Sequence, residues 1–196
     1  ARQHIAGAID LAARAGFGPY ELFSRFLEAH LALATGDLAT ADAFRRALMP
    51  GWEQTLDWQD LASALTILGE LHHRRGDLKE AEAALTRSLT LFTRARHPLG
   101  RLLPLERLAW LAIARGQPAR ALALCDDANS AEPTFYHHAL ALARARALHL
   151  LGDHAGAWAV WEPLLQALDA GEHRLLLART QRYAAATLAA LGRRAE

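Results

Sequence analysis

Ten histidines and a single cysteine, Cys125, are the residues of this chain with the widest chemistry. A metal centre needs several such ligands converging at spacings that place them together. His72-His73 and His137-His138 are adjacent pairs, and neighbours on a helix point about 100° apart. Neither pair chelates as it stands. No His-x-x-x-His or His-x-x-Glu pair occurs, and there is no second cysteine. Cys125 falls at an apolar position of a helix, which predicts a buried, inert thiol rather than a nucleophile. Glu70 and Glu106 could resemble a carboxylate dyad, but no nucleophile–base set and no glycine-rich phosphate loop accompanies them. The expectation is a protein with no catalytic residue, no cofactor and no metal.

Composition narrows the remaining classes. A formal net charge of +1 makes no electrostatic case for nucleic acid or an anionic membrane surface. Arg193-Arg194 is a short basic end, read as solvated. The hydrophobic fraction of 52% supports a continuous core, and 22% charged residues suit a soluble surface. No apolar run approaches the roughly 20 residues of a membrane span, and no signal peptide opens the sequence. A cytoplasmic location is the default expectation. Trp52, Trp58, Trp110, Trp158 and Trp161 read mainly as packing residues.

The elements that position these residues announce themselves through a repeat. Glycines stand at 36, 76, 116, 152 and 192, so successive spacings are 40, 40, 36 and 40. Seven residues before each lies Ala29, Gly69, Ala109, Ala145 or Ala185; five residues after come Ala41, Ala81, Ala121 and Ala157. Small residues there let two helices of a hairpin approach closely, since side chains set the interaxial distance. Glycine supplies a left-handed cap to the first helix. Asp37, Asp77 and Asp153 stand where an N-cap for the second belongs, and Gln117-Pro118 substitutes with proline at the first helical position. No alternating strand pattern appears, so the fold class is all-α.

The chain then reads in order. Residues 2–15 form a helix stopped by Gly16-Phe17-Gly18-Pro19. The hairpins are 20–35 with 38–49, 60–75 with 78–95, 102–115 with 118–129, and 134–151 with 154–170. A final helix covers 172–191. Trp52–Trp58 is an irregular linker, His97-Pro98-Leu99-Gly100 breaks the chain before the third hairpin, and Pro163 is expected to kink or shorten its helix. Leu11, Arg14 and Ala15 lie 80 residues before Leu91, Arg94 and Ala95, so the first helix reads as the second half of a preceding repeat. Both ends then look cut from a longer array, with Ile9, Leu11, Leu188 and Leu191 offering apolar end faces for self-association.

Leu68-Gly69, His72, Gly76, Ala81 and Leu85 resemble the tetratricopeptide pattern, as do Leu108-Ala109, Gly116, Ala121 and Cys125, and Ala145, Leu148, Gly152, Ala157 and Trp161. The first copy departs from it, with Glu28 and Arg45 at positions the family fills with apolar residues. The resemblance implies a right-handed α-α superhelix of about four repeats, 20–58, 59–100, 101–133 and 134–171, flanked by half-repeats 1–19 and 172–196. A period near 40 is similar to the tetratricopeptide arrays of large bacterial transcription regulators, the LuxR-type ATPases and antibiotic regulatory proteins. That likeness implies a recognition or sensor segment for a protein, peptide, neighbouring domain or small-molecule effector; a free-standing adaptor is the alternative.

In such arrays the first helix of each pair lines a concave groove. Carried over by spacing, that face is Phe23, Phe26 and His30; Thr66, Glu70 and His73; Glu106, Trp110 and Ile113; Leu142, Arg146 and His149; then Arg179 and Arg182. The expected contact set is Glu70, His73, Glu106, Trp110, Arg146, His149, Arg179 and Arg182, with Trp110 and Arg146 foremost because aromatic and arginine side chains dominate interface energies. The family's co-chaperone members clamp a C-terminal carboxylate with Lys and Asn. Thr66, Glu70, Glu106 and Trp110 fill those places here, so that activity is not expected.

Overall fold

A computed structural model describes residues 18–48, 57–128, 135–169 and 174–193, with isolated positions before them. Nine α-helices and no strand occur among the described residues: α1 (Gly18–Thr35), α2 (Leu38–Leu48), α3 (Trp58–Arg75), α4 (Leu78–Arg94), α5 (Pro98–Ala114), α6 (Pro118–Asp126), α7 (Phe135–Leu150), α8 (His154–Asp169) and α9 (Arg174–Ala190). They fall into two compact units, Ala1–Arg94 and Ala95–Glu196. Of the helix expected at 2–15 only Gly7, Asp10, Leu11 and Arg14 are described, all four helical, and most of the Trp52–Trp58 linker lies outside the described residues, as does Ile9.

Each hairpin turns on its glycine. Gly36, Gly76, Gly116, Gly152 and Gly192 all take positive φ, between 70° and 85°, a region that costs any other residue. At Gly76 the amide donates to His73 O and the next amide, Asp77 N, reaches back to His72 O at 2.9 Å. This six-residue closure satisfies the last carbonyls of α3. Asp37, Gln117, Asp153 and Arg193 repeat it, donating to Ala32, Ala112, Leu148 and Leu188.

The caps differ from expectation in detail. Asp37 accepts from Thr40 N and Asp153 from Gly156 N, as N-caps do. Asp77 instead lies 3.4 Å from His72 Nδ1. α3 begins at Trp58, earlier than the spacing suggests, because Asp57 accepts from both Gln59 N and Asp60 N. His97-Pro98-Leu99-Gly100 does not break the chain before α5 but starts it: His97 Nδ1 accepts from Gly100 N at 2.8 Å and Pro98 enters as a first-turn proline. Pro163 does not end α8, which continues to Asp169.

Within the first unit α1, α2, α3 and α4 pack in sequence, α3 also meeting α1; within the second, α5, α6, α7, α8 and α9 do so, with α7 meeting both α5 and α9. The small residues at the hairpin contacts explain the closeness. Ala29, Ala41, Ala81, Ala109, Ala121, Ala145 and Ala157 are all fully buried. At Gly69 an added Cβ would come within 2.4 Å of Leu85 Cγ, so the crossing of α3 and α4 demands glycine there. Ala185, by contrast, is exposed.

Candidate functional site

The residues of interest sit mainly on the first helices α5, α7 and α9 of the second unit. Trp110 comes from α5, Arg146 and His149 (three apart) from α7, and Arg179, Arg182, Tyr183 and Thr187 from one stripe of α9. Spacings of three and four hold such side chains on one face. Because α7 packs against both α5 and α9, long side chains can meet across it.

The meeting is aromatic. The rings of Trp110 and Tyr183 stack with centroids 5.8 Å apart, and Trp161 of α8 stacks on Tyr183 at 6.5 Å. Three guanidiniums cover the stack: Arg146 lies 5.0 Å and Arg182 4.7 Å from the Tyr183 centroid, and Arg179 lies 5.0 Å from that of Trp110. Arg182 Nη2 also donates to the Tyr183 hydroxyl at 2.9 Å. Trp110 and Tyr183 are half-buried, Arg146 partly so, and Arg179 and Arg182 exposed. Each guanidinium lies over an aromatic ring, where cation–π attraction helps to hold it.

Three arginines gather at this cluster without a described counter-charge. Several arginines elsewhere are matched: Arg74 to Glu70, Arg75 and Arg45 to Asp42, Arg101 to Asp127, Arg107 to Glu106 and Arg144 to Asp126. No described carboxylate lies within ion-pair distance of Arg146, Arg179 or Arg182. The indole Nε1 of Trp110 likewise has no acceptor among the described residues.

The wall behind the stack is polar but satisfied. Trp161 Nε1 donates to Thr187 Oγ1, which is also 3.0 Å from His149 Nδ1. Burial lowers the pKa of His149 below the ordinary imidazole value, and the nearby Arg146 and His154 push the same way. Near neutral pH His149 is therefore uncharged and able to accept from Thr187.

Several positions that the repeat spacing assigns to the groove lie elsewhere. Glu70 and Glu106, expected as open groove charges, are buried at 6% and 3% exposure, Glu70 accepting from Arg74 Nε at 2.7 Å and Glu106 3.2 Å from the Arg107 guanidinium. Their carboxylates lie within the packed helices, where a neighbouring arginine compensates them. Thr66 turns into the α3–α4 contact, bonding Ser88 Oγ at 2.8 Å. Leu142 and Phe26 are core, Phe26 against Phe44 at 5.6 Å. Ile113 packs partly buried against the α5–α6–α7 core. His73 is half-buried on α3 and His30 exposed on α1, both in the first unit; the side chain of Phe23 lies outside the described residues. Tyr183 is absent from the set that spacing assigns, although it carries a signal: it lies four residues after Arg179 and beside Arg182, on the same stripe.

Among the described residues no group of three or more His, Cys, Asp or Glu could hold a metal ion, and no helix is long and apolar enough to cross a membrane. Burial pushes the Cys125 thiol up to about 12, which keeps it protonated.

The tetratricopeptide repeat model matches residues 62–87, 104–127 and 138–163, stretches that fall on three of the four hairpins. The first hairpin, where Glu28 and Arg45 interrupt the pattern, falls outside these matches. The fold is similar to the crystal structure of BtubC (BKLC) from P. vanneervenii, with a TM-score of 0.73 at 17% identity over 98% of this chain and 83% of that one. It is also similar to a Podosopora anserina putative kinesin light chain of nearly identical TPR-like repeats, with a TM-score of 0.65 at 20% identity over 88% of each chain. A variant of that protein aligns with a TM-score of 0.67. No curated protein is a significant match to the chain.

Proposed function

We propose that this chain is a non-catalytic recognition module that binds a protein or peptide through the faces of α5, α7 and α9. One observation carries the reading: Trp110, Tyr183, Arg146, Arg179 and Arg182, from three successive first helices, converge in one aromatic and cationic patch. Aromatic and arginine side chains held in place supply most interface energy in general. His149 belongs to the wall of this surface. Glu70, His73 and Glu106 fall outside the proposed contact set, the two acids because they are buried and matched.

A repeat length near 40 supports a finer reading, in which the module is the sensor segment of a larger bacterial transcription regulator. A free-standing adaptor is the competing one. The domains encoded beside it in the full-length gene separate them: an ATPase or DNA-binding domain decides for the regulator.

The surface itself is tested by pull-down with wild type and the Trp110→Ala, Arg146→Glu double variant, both checked for helicity by circular dichroism. Loss of partners from the folded variant is expected. Retention of every partner overturns the proposal.

A further inference from the structure

We infer that the segment recognised by this surface is acidic: a short stretch of peptide with clustered Asp or Glu side chains, gripped by Arg146, Arg179 and Arg182 above the Trp110–Tyr183 stack. The inference rests on the reading of this surface as a recognition site and adds the chemistry of what occupies it.

Charge complementarity is the ground. Three guanidiniums lie on two adjacent rings, at 4.7 to 5.0 Å from the centroids, with no described carboxylate in ion-pair range. The chain as a whole carries a formal charge of only +1, so this is a local concentration of positive charge. It also departs from the matched arginines elsewhere in the same unit, Arg101 with Asp127 and Arg144 with Asp126. Like charges gathered without counter-charge repel one another, and an anionic occupant relieves that repulsion.

The geometry favours carboxylates in particular. A guanidinium held over a ring has lost part of its rotamer freedom, and its planar fork of five N–H donors suits a carboxylate met with two parallel bonds. Arg182 is fixed further by its bond to the Tyr183 hydroxyl. Single-stranded nucleic acid fits less well, because it needs open aromatic faces on which to stack its bases. Here Tyr183 already carries Trp110, Trp161, Arg146 and Arg182, so a base would have to displace a guanidinium.

The test is an array of short peptides graded from acidic through neutral and apolar to basic, with a short oligothymidylate in solution as a nucleic-acid probe. It is read with wild type, Trp110→Ala, the Arg179→Gln, Arg182→Gln pair and the Arg179→Lys, Arg182→Lys pair. Arg179 and Arg182 are exposed, so both pairs retain the fold, and circular dichroism verifies it. Wild type is expected to select the acidic peptides, to bind them more weakly as salt rises, and to lose about tenfold or more in the Gln pair. The Lys pair keeps the charge and is expected to fall only severalfold. Hits of another composition that vanish in Trp110→Ala overturn the acidic assignment and leave the recognition surface standing. Preferential binding of the oligothymidylate overturns the peptide. Hits that survive both Trp110→Ala and the Gln pair, or no hits, overturn the surface together with its ligand.

Discussion

The indole N–H of Trp161 donates to the hydroxyl of Thr187 at 3.0 Å, and both residues are fully buried. The bond joins α8 to α9. Thr187 also reaches His149 Nδ1 on α7 at 3.0 Å, so one hydroxyl ties together three helices of the second unit. Trp161 uses the oxygen as acceptor, which leaves the Thr187 O–H to donate to His149 Nδ1 or to the Tyr183 carbonyl, 3.4 Å away.

Removing that hydroxyl strands a buried indole N–H. Thr187→Val is expected to destabilise the fold by about 1–3 kcal/mol, the cost of an unsatisfied buried polar group. Thr187→Ser keeps the hydroxyl, so its bond to Trp161 survives and its loss is smaller. Urea unfolding followed by tryptophan fluorescence ranks the two; equal losses would show that the hydroxyl matters no more than the methyl group that Thr187→Ser removes.

The same node makes stability depend on pH. His149 has a folded-state pKa below its ordinary 6.5, first because of burial and then through Arg146 and His154. The unfolded chain therefore binds more protons at this site, and stability rises with pH across the interval between the two values. The contribution is complete above 6.5 and is lost as pH falls through the lowered value. Wild type is expected to lose urea resistance relative to His149→Asn between neutral and mildly acid pH. Parallel curves for the two proteins would count against a depressed His149.

Small residues at the hairpin crossings are a packing requirement. Ala81 and Ala121 are both fully buried. Leucine at either is expected to cost about 1–3 kcal/mol by overpacking. Ala83 lies exposed on the same helix as Ala81, and Ala83→Leu is expected to stay within about 0.5 kcal/mol of wild type. Chemical denaturation of the pair isolates burial from helix propensity, since the substitution is identical. Gly69→Ala belongs with the costly set, because its Cβ would meet Leu85.

Cys125 is expected to be unreactive in the native state. Its thiol is pushed up to about 12, mainly by burial, and its Sγ lies 3.7 Å from the Leu140 carbonyl. Thiolate is the reactive form, so alkylation by iodoacetamide at mildly alkaline pH should be slow until urea unfolds the chain. Rapid native labelling would show that the α6–α7 contact opens readily.

The helical hairpins are written in local rules. A glycine recurs near every 40 residues, with a small residue seven before and five after it and a cap or proline just beyond, so Gly76, Ala81 and Leu85 could be placed without tertiary information. Helix starts at Trp58 and Pro98 were less legible, because Asp57 and His97 act as caps through side-chain bonds that compete with other turn geometries. Which inner-face positions open outward depended on tertiary packing. Glu70 shares the repeat register of Trp110 and Arg146, and Thr66, Glu106 and Leu142 share the register one turn before it, yet all four are buried, since burial depends on what the neighbouring helices present. The aromatic stack was settled the same way: Trp110 and Tyr183 are 73 positions apart in the chain. No periodicity links them; they meet because α7 packs against α5 on one side and α9 on the other.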